Sequence, residues 1–186
     1  AAGSGTRFGG AVRKVFAPLL GRPVLLRSLD LFLRRRDVVQ VLAVVAAEDR
    51  EAARTLCPDG VELVAGGADR TGSVRNALAR LGDDADWVCV HDAARPCTAP
   101  ERIDEVFAAA ARTGAAILAH PLSGTVKRAH ADRPVIADTL DRERLWEAQT
   151  PQVFARDLLM RAYAEADRGA TDDAALVEAL GAEVEL

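Results

Sequence analysis

The residues best suited to chemistry open the chain: Ala1-Ala2-Gly3-Ser4-Gly5-Thr6-Arg7, with Lys14 seven positions beyond the arginine. Gly3 and Gly5 let the backbone reach left-handed angles and bring its N–H groups close to an anion, while Arg7 and Lys14 supply charge that backbone dipoles cannot. That combination suits a triphosphate, and the chemistry it implies is phosphoryl transfer. Two familiar glycine motifs fail here. Phe8 stands where a dinucleotide fingerprint needs its third glycine, and no Gly-Lys-Ser/Thr triplet follows to make a Walker loop.

Two further segments carry reactive groups. In His91-Asp92-Ala93-Ala94-Arg95-Pro96, Asp92 can accept from substrate hydroxyls or hold a metal, and Arg95 offers a planar fork to phosphate. The alanines leave room for a ligand; the alternative reading is an Asp-Arg pair that closes a loop. In Gly66-Gly67-Ala68-Asp69-Arg70-Thr71-Gly72-Ser73, the glycines admit a flat ring against the backbone, and Ser73 can bond a base or phosphate in the first helical turn. A plain turn with Asp69 or Thr71 as helix cap explains the same residues. His91, His120 and His130 lack metal-ligand spacing.

The elements that must position these groups alternate. Pro23 opens a helix closed by Arg34-Arg35-Arg36; Val38 to Ala47 reads as a strand buried on both faces; Glu48 to Leu56 as a helix; Val61 to Ala65 as a strand. Arg70 to Leu81 reads as a helix, Trp87 to Val90 as a buried strand, Pro100 to Arg112 as a helix stopped by Gly114, and Ala115 to Ala119 as the next strand. Helices resume at Arg156 to Asp167 and Asp172 to Leu180. The alternation predicts a mostly parallel twisted sheet with helices on both faces and a ligand crevice at the carboxyl ends of the strands, where His91-Asp92 falls. The rhythm breaks over 122–154, where two polar strands around Asp132-Arg133-Pro134 predict a protruding β-arm.

With 186 residues and an apolar fraction of 49%, the chain fits one domain that folds without staples. A net charge of -4 disfavours nucleic acid and acidic membranes as partners. Cys57, Cys89 and Cys97 show no CxxC spacing and predict neither a zinc site nor a disulfide framework, and no apolar run reaches the roughly 20 residues of a spanning helix. A reducing cytoplasm is the expected setting. Because such glycine loops leave the end of a buried strand, and because Glu183 to Leu186 alternates like a strand, further chain is expected beyond both ends.

The opening loop with its lysine, the HDAARP segment and Asp141-Arg142-Glu143-Arg144-Leu145-Trp146-Glu147-Ala148-Gln149-Thr150-Pro151-Gln152 resemble the 2-C-methyl-D-erythritol 4-phosphate cytidylyltransferases over nearly the whole chain. Thr125-Val126-Lys127-Arg128, the Gly66-Gly67 segment and Thr171-Asp172-Asp173-Ala174 agree in order and spacing. The resemblance implies a Rossmann-like nucleotidyltransferase fold and transfer of CMP from CTP to a sugar-alcohol phosphate, with Mg²⁺, in the non-mevalonate route to isoprenoid precursors. It assigns Ala1, Ala2, Gly3, Gly67 and Ser73 to the cytidine, with Gly5 in the same loop, and Arg7 and Lys14 to the triphosphate and the transition state. It assigns Asp92, Arg95 and Thr125 to the acceptor, and has Arg142 and Thr150 reach the acceptor phosphate from the arm of a second subunit in a homodimer.

The chain departs from that family in two places. Ala68 stands where an acidic residue is common, and the family's late lysine would fall beyond Leu186. Ribitol 5-phosphate cytidylyltransferases resemble the same motifs and would share the CTP residues, so the acceptor stays open at this point. A noncatalytic nucleotide-binding module is the reading from a different class.

Overall fold

The computed structural model describes residues 13–166 and 170–186. A 3₁₀ turn at Lys14–Phe16 leads into two short paired strands, β1 (Pro18–Leu19) and β2 (Arg22–Pro23), and then α1 (Val24–Leu33). Leu25, Leu26 and Leu29 recur at helical spacing on α1 and are buried, together with Val15 from the turn and Ala43 from β3 (Val41–Val45). The β-branched run forms a strand because its apolar side chains are covered. Its ends fall short of the predicted 38–47, since Ala47–Asp49 turns as a 3₁₀ step into α2 (Arg50–Leu56).

β4 (Val61–Ala65) lies parallel to β3, in register from Val41↔Val61 to Val45↔Ala65, as the βαβ reading requires. α3 (Arg70–Leu78) follows, and Asp69 caps it by accepting from the Gly72 amide at 2.6 Å. Next come β5 (Trp87–Val90), α4 (Pro100–Thr113), stopped by Gly114 at φ 90°, and β6 (Ala115–Pro121). Ile103, Val106 and Ala110 form the buried stripe of α4; the last two pack with Ala116 and Val153.

The predicted arm resolves into β7 (Val126–Ala129) and β8 (Ile136–Leu140), an antiparallel hairpin exposed along nearly all its length. The 122–154 segment holds more than an arm, because β9 (Trp146–Ala155) runs antiparallel between β5 and β6 as the middle strand of a three-stranded sheet. Among the described strands only β3 and β4 pair in parallel and the other named pairs are antiparallel, against the mostly parallel arrangement that the alternation predicts. α5 (Arg156–Glu165) and α6 (Ala174–Glu178) cover this sheet, burying Leu159, Tyr163 and Val177 against Phe154. Burying a Phe or Leu this completely contributes about 1.5–3 kcal/mol each. Glu183–Leu186, expected as a strand, meets β6 through a single parallel bridge, Ala116↔Glu185.

Candidate active site

The geometry of the site starts from an irregularity in β9. Ile117 pairs with Gln152, but the next paired residues are Ala119 and Ala148, so Gln149, Thr150 and Pro151 face Leu118 alone. Pro151 has no N–H to give a ladder, and a bulge there frees its neighbours to be aimed elsewhere. On the other side, the pairing of β5 with β9 ends at Val90↔Gln152. The chain beyond Val90 instead meets a side chain: the Asp92 amide donates to Thr150 Oγ1 at 3.0 Å.

A relay follows from that contact. His91 Nε2 lies 3.0 Å from the Arg95 carbonyl and must carry the proton to donate there, which leaves Nδ1 to accept from the Thr150 hydroxyl at 3.2 Å. Burial lowers the His91 pKa below its ordinary 6.5, against the opposing pull of the Arg95 carbonyl and the Asp92 charge, so the neutral ring this relay requires is the stable one at neutral pH. Phe32 of α1 packs at 5.1 Å from the ring. His91 is thus a brace for the loop.

Asp92 and Arg95 are joined by an Nε–Oδ2 contact of 3.0 Å and remain 45% and 38% exposed. A pair so open to water adds little stability, which leaves both heads available to a ligand. They line a cleft of about 120 Å³ together with Arg70, Thr150, Gln152 and Asp172. Complete ligand pockets run to roughly 300–1,000 Å³, more than this cleft offers by itself. Arg70, Gln152 and Asp172 stand within segments that carry the resemblance, but the sequence reading assigns them no role in the site. The signal was there in Thr171-Asp172-Asp173, polar residues at a helix start that no surface role demanded.

Other predicted residues find different surroundings. Gly67 belongs to a tight corner: a Cβ there would lie 2.5 Å from the Gly72 carbonyl carbon and 2.8 Å from the Ser73 nitrogen. Close backbone packing, rather than an approaching ring alone, is what demands glycine. Ser73 is buried, donates to the Asp69 carbonyl at 2.8 Å and accepts from the Gly67 amide at 3.0 Å. Ala93 and Ala94 pack on the α1 cluster, and the Ala93 carbonyl accepts from Ser28 at 2.8 Å, so their smallness serves packing and not ligand space.

Lys14 is exposed on its 3₁₀ turn, next to Val15, which shares that same cluster with Ala93 and Ala94. Arg13 beside it is tied to Glu48 and Asp49. The neighbouring cation is thereby committed to structure. Thr150, which the sequence resemblance has reach the acceptor phosphate from a second subunit, is 4% exposed and lines the cleft of its own chain, where β9 is held between β5 and β6. Thr125 and Arg142 are exposed beside the arm, Arg142 bonding the Ser123 carbonyl, and neither lines the cleft. Ala1, Ala2, Gly3, Gly5 and Arg7 lie outside the described residues. Burial pushes the Cys89 thiol up to about 12, well above a reactive thiolate's range.

An α/β sheet with a polar cleft at the end of β5 is the arrangement of Rossmann-like nucleotidyltransferases. The family model described as 2-C-methyl-D-erythritol 4-phosphate cytidylyltransferase, IspD, matches residues 1–186, and the chain belongs to that family. The cytidylyltransferase of that name from Frankia casuarinae is 45% identical over 185 residues, covering 99% of this chain and 69% of that protein. The one from Rhodococcus opacus is 45% identical over 186 residues, covering 99% and 81%. Among solved structures, the 4-diphosphocytidyl-2C-methyl-D-erythritol synthase of Anaerococcus prevotii superposes with a TM-score of 0.84 at 26% identity, covering 100% of this chain and 82% of that one. The Thermus thermophilus cytidylyltransferase gives 0.78 at 32% identity, covering 93% and 81%.

Proposed function

We propose that this protein transfers CMP from CTP to 2-C-methyl-D-erythritol 4-phosphate, releasing pyrophosphate and forming 4-diphosphocytidyl-2-C-methyl-D-erythritol on the way to isoprenoid precursors. The observation that carries this reading is the Asp92–Arg95–Thr150 cleft in a chain of the IspD family. An acceptor phosphate oxygen, already anionic at neutral pH, attacks the α-phosphorus of CTP. The new P–O bond forms as the bond to the leaving pyrophosphate breaks. Positioning and charge stabilisation do the catalytic work.

In this reading Arg7 and Lys14 stabilise charge on the five-coordinate phosphorus and the leaving group, and Ala1, Ala2, Gly3, Gly5, Gly67 and Ser73 form the nucleotide side. Asp92 and Thr150 orient acceptor hydroxyls while Arg95 faces its phosphate. Among the described residues no three His, Cys, Asp or Glu side chains gather as a metal cage. Mg²⁺ needs none, since it takes one or two carboxylates plus phosphate oxygens and water; Asp92, 45% exposed, is the fitting carboxylate. The ion would neutralise phosphate oxygens when bound with CTP.

The homodimer belongs to the same proposal. Thr125 and Arg142 flank an exposed hairpin whose Val135 and Ile136 stand 53% and 60% exposed, surface suited to a second copy of the chain. No helix among the described residues is long and apolar enough to cross a membrane, and the cytoplasm is the proposed setting. The test is pyrophosphate release with CTP and a panel of acceptors. Turnover with ribitol 5-phosphate in preference to methylerythritol phosphate would reassign the acceptor, and UTP serving as well as CTP would remove the cytidylyl assignment.

A further inference from the structure

Behind the cleft wall lies a polar network that the reaction as described does not use. Asp173 is 0% exposed, and a carboxylate so placed persists only when its oxygens are well occupied. Tyr163 donates to Oδ1 at 2.5 Å, and Arg70 pairs with Oδ2 across 103 positions of sequence. Gln152 of β9 accepts the Asp173 and Ala174 amides at 3.2 and 3.1 Å, and Thr71 accepts the Ala170 amide at 3.2 Å. The start of α3, the middle of β9 and the turn before α6 are thereby joined.

Apolar residues of similar volume would fasten these elements without desolvating charge. What they could not do is fix a guanidinium in one orientation. Arg70 is that guanidinium: its side chain is 33% exposed and lines the cleft, while its Nη1 is buried without a hydrogen-bond partner among the described residues. The exposed part of that side chain stands on the cleft wall beside Arg95, where a bound phosphate oxygen can meet it. Burial weakens the Arg70 charge, and the bond and field of Asp173 more than offset that, so it stays fully cationic.

We propose that Asp173, steadied by the Tyr163 hydroxyl, is a positioning residue that holds Arg70 at the cleft wall to meet a phosphate oxygen of substrate. The proposal rests on the cytidylyltransferase reading and adds Arg70 to the phosphate-facing groups beside Arg95. Phosphate could come from CTP or from the acceptor, and binding separates the two.

The experiment uses the full chain with Tyr163→Phe, Arg70→Lys and Asp173→Asn, each melted to verify folding. CTP affinity is titrated without acceptor, KM and kcat are read by pyrophosphate release, and inorganic phosphate is titrated in parallel. Tyr163→Phe should fold and weaken one phosphate-bearing substrate about threefold to tenfold. Arg70→Lys should weaken it by at least about tenfold, because an ammonium cannot span Asp173 and a ligand as a planar fork does. Loss confined to CTP, or confined to acceptor KM, supports the proposal and names the phosphate. Folded Tyr163→Phe and Arg70→Lys proteins with unchanged CTP affinity, acceptor KM and phosphate binding overturn it, whatever their melting temperatures. An unmutated protein that releases no pyrophosphate sinks the activity instead, and phosphate binding by Arg70→Lys against wild type then still decides the role of Arg70.

Discussion

The Thr150 hydroxyl stands 3.2 Å from His91 Nδ1 and accepts the Asp92 amide at 3.0 Å, so one side chain of β9 fixes the loop that carries Asp92. Thr150→Val keeps the shape and removes the hydroxyl. It leaves a half-buried N–H and a ring nitrogen unpaired, at a cost of about 1 kcal/mol or somewhat more. The variant should fold with a lowered melting temperature and lose about tenfold or more in kcat/KM for the acceptor, while CTP affinity measured alone stays near wild type. Equal loss for both substrates would mean that the relay braces the whole site and not the acceptor side.

His91 makes the same loop sensitive to acid. Its folded pKa lies below the unfolded 6.5, so between the two values the unfolded state binds more protons and stability rises with pH. The stabilisation is fully present above about 6.5 and is lost as pH falls through the lowered folded value. Melting temperature should therefore drop from pH 7 toward pH 5 more steeply in wild type than in His91→Gln. Parallel curves would place the acid sensitivity in other groups.

β9 shows why part of this was hidden in the sequence. Its inner half, Thr150 to Phe154, is buried like a core strand, yet Gln149-Thr150-Pro151-Gln152 breaks the apolar run and a proline argues against a central strand. The bulge reconciles them, and no local pattern announces a bulge. β3, β4, β5 and α4 were legible because period, β-branching and the Gly114 stop agree with their tertiary setting. Asp92 and Arg95 were legible from placement at a strand end, whereas Arg70 required Asp173, whose partner lies 103 residues away.

Gly67 offers a sharper test of the nucleotide side. A methyl group there meets the Gly72 carbonyl carbon at 2.5 Å, and backbone cannot swing aside as a flexible side chain can. Gly67→Ala should cost about 1–3 kcal/mol of stability through overpacking, with a weakened CTP titration, because the displaced corner also carries Ser73. Ser73→Ala should do less to CTP affinity, since its hydroxyl is already engaged by Asp69 and Gly67. A Gly67→Ala protein with wild-type melting and CTP affinity would remove the tight corner from the nucleotide site.

Lys14 differs from Arg13 in that Arg13 is tied to Glu48 and Asp49. If Lys14 acts on charge that develops during transfer, Lys14→Ala should lower kcat by on the order of 10²-fold while CTP affinity changes little. A matching loss of affinity with kcat unchanged would make it a uniform anchor. Arg13→Ala should instead lower stability, having no charge free to offer the triphosphate.

Arg142 stands beside the arm, bonded to the Ser123 carbonyl and away from the cleft of its own chain. For it to reach an acceptor phosphate, a second subunit must bring it. Arg142→Ala should then impair acceptor use and spare CTP binding, since its fork would orient the attacking phosphate. Inactive Lys14→Ala and Arg142→Ala proteins carry lesions on different subunits of one site. A mixed dimer has one site holding both lesions and one holding neither, so equal mixing with free exchange should restore about a quarter of wild-type activity. Sedimentation or mass measurement establishes that the subunits exchange. Exchange without any return of activity would assign both residues to a site within one chain, and the shared site would have to be given up.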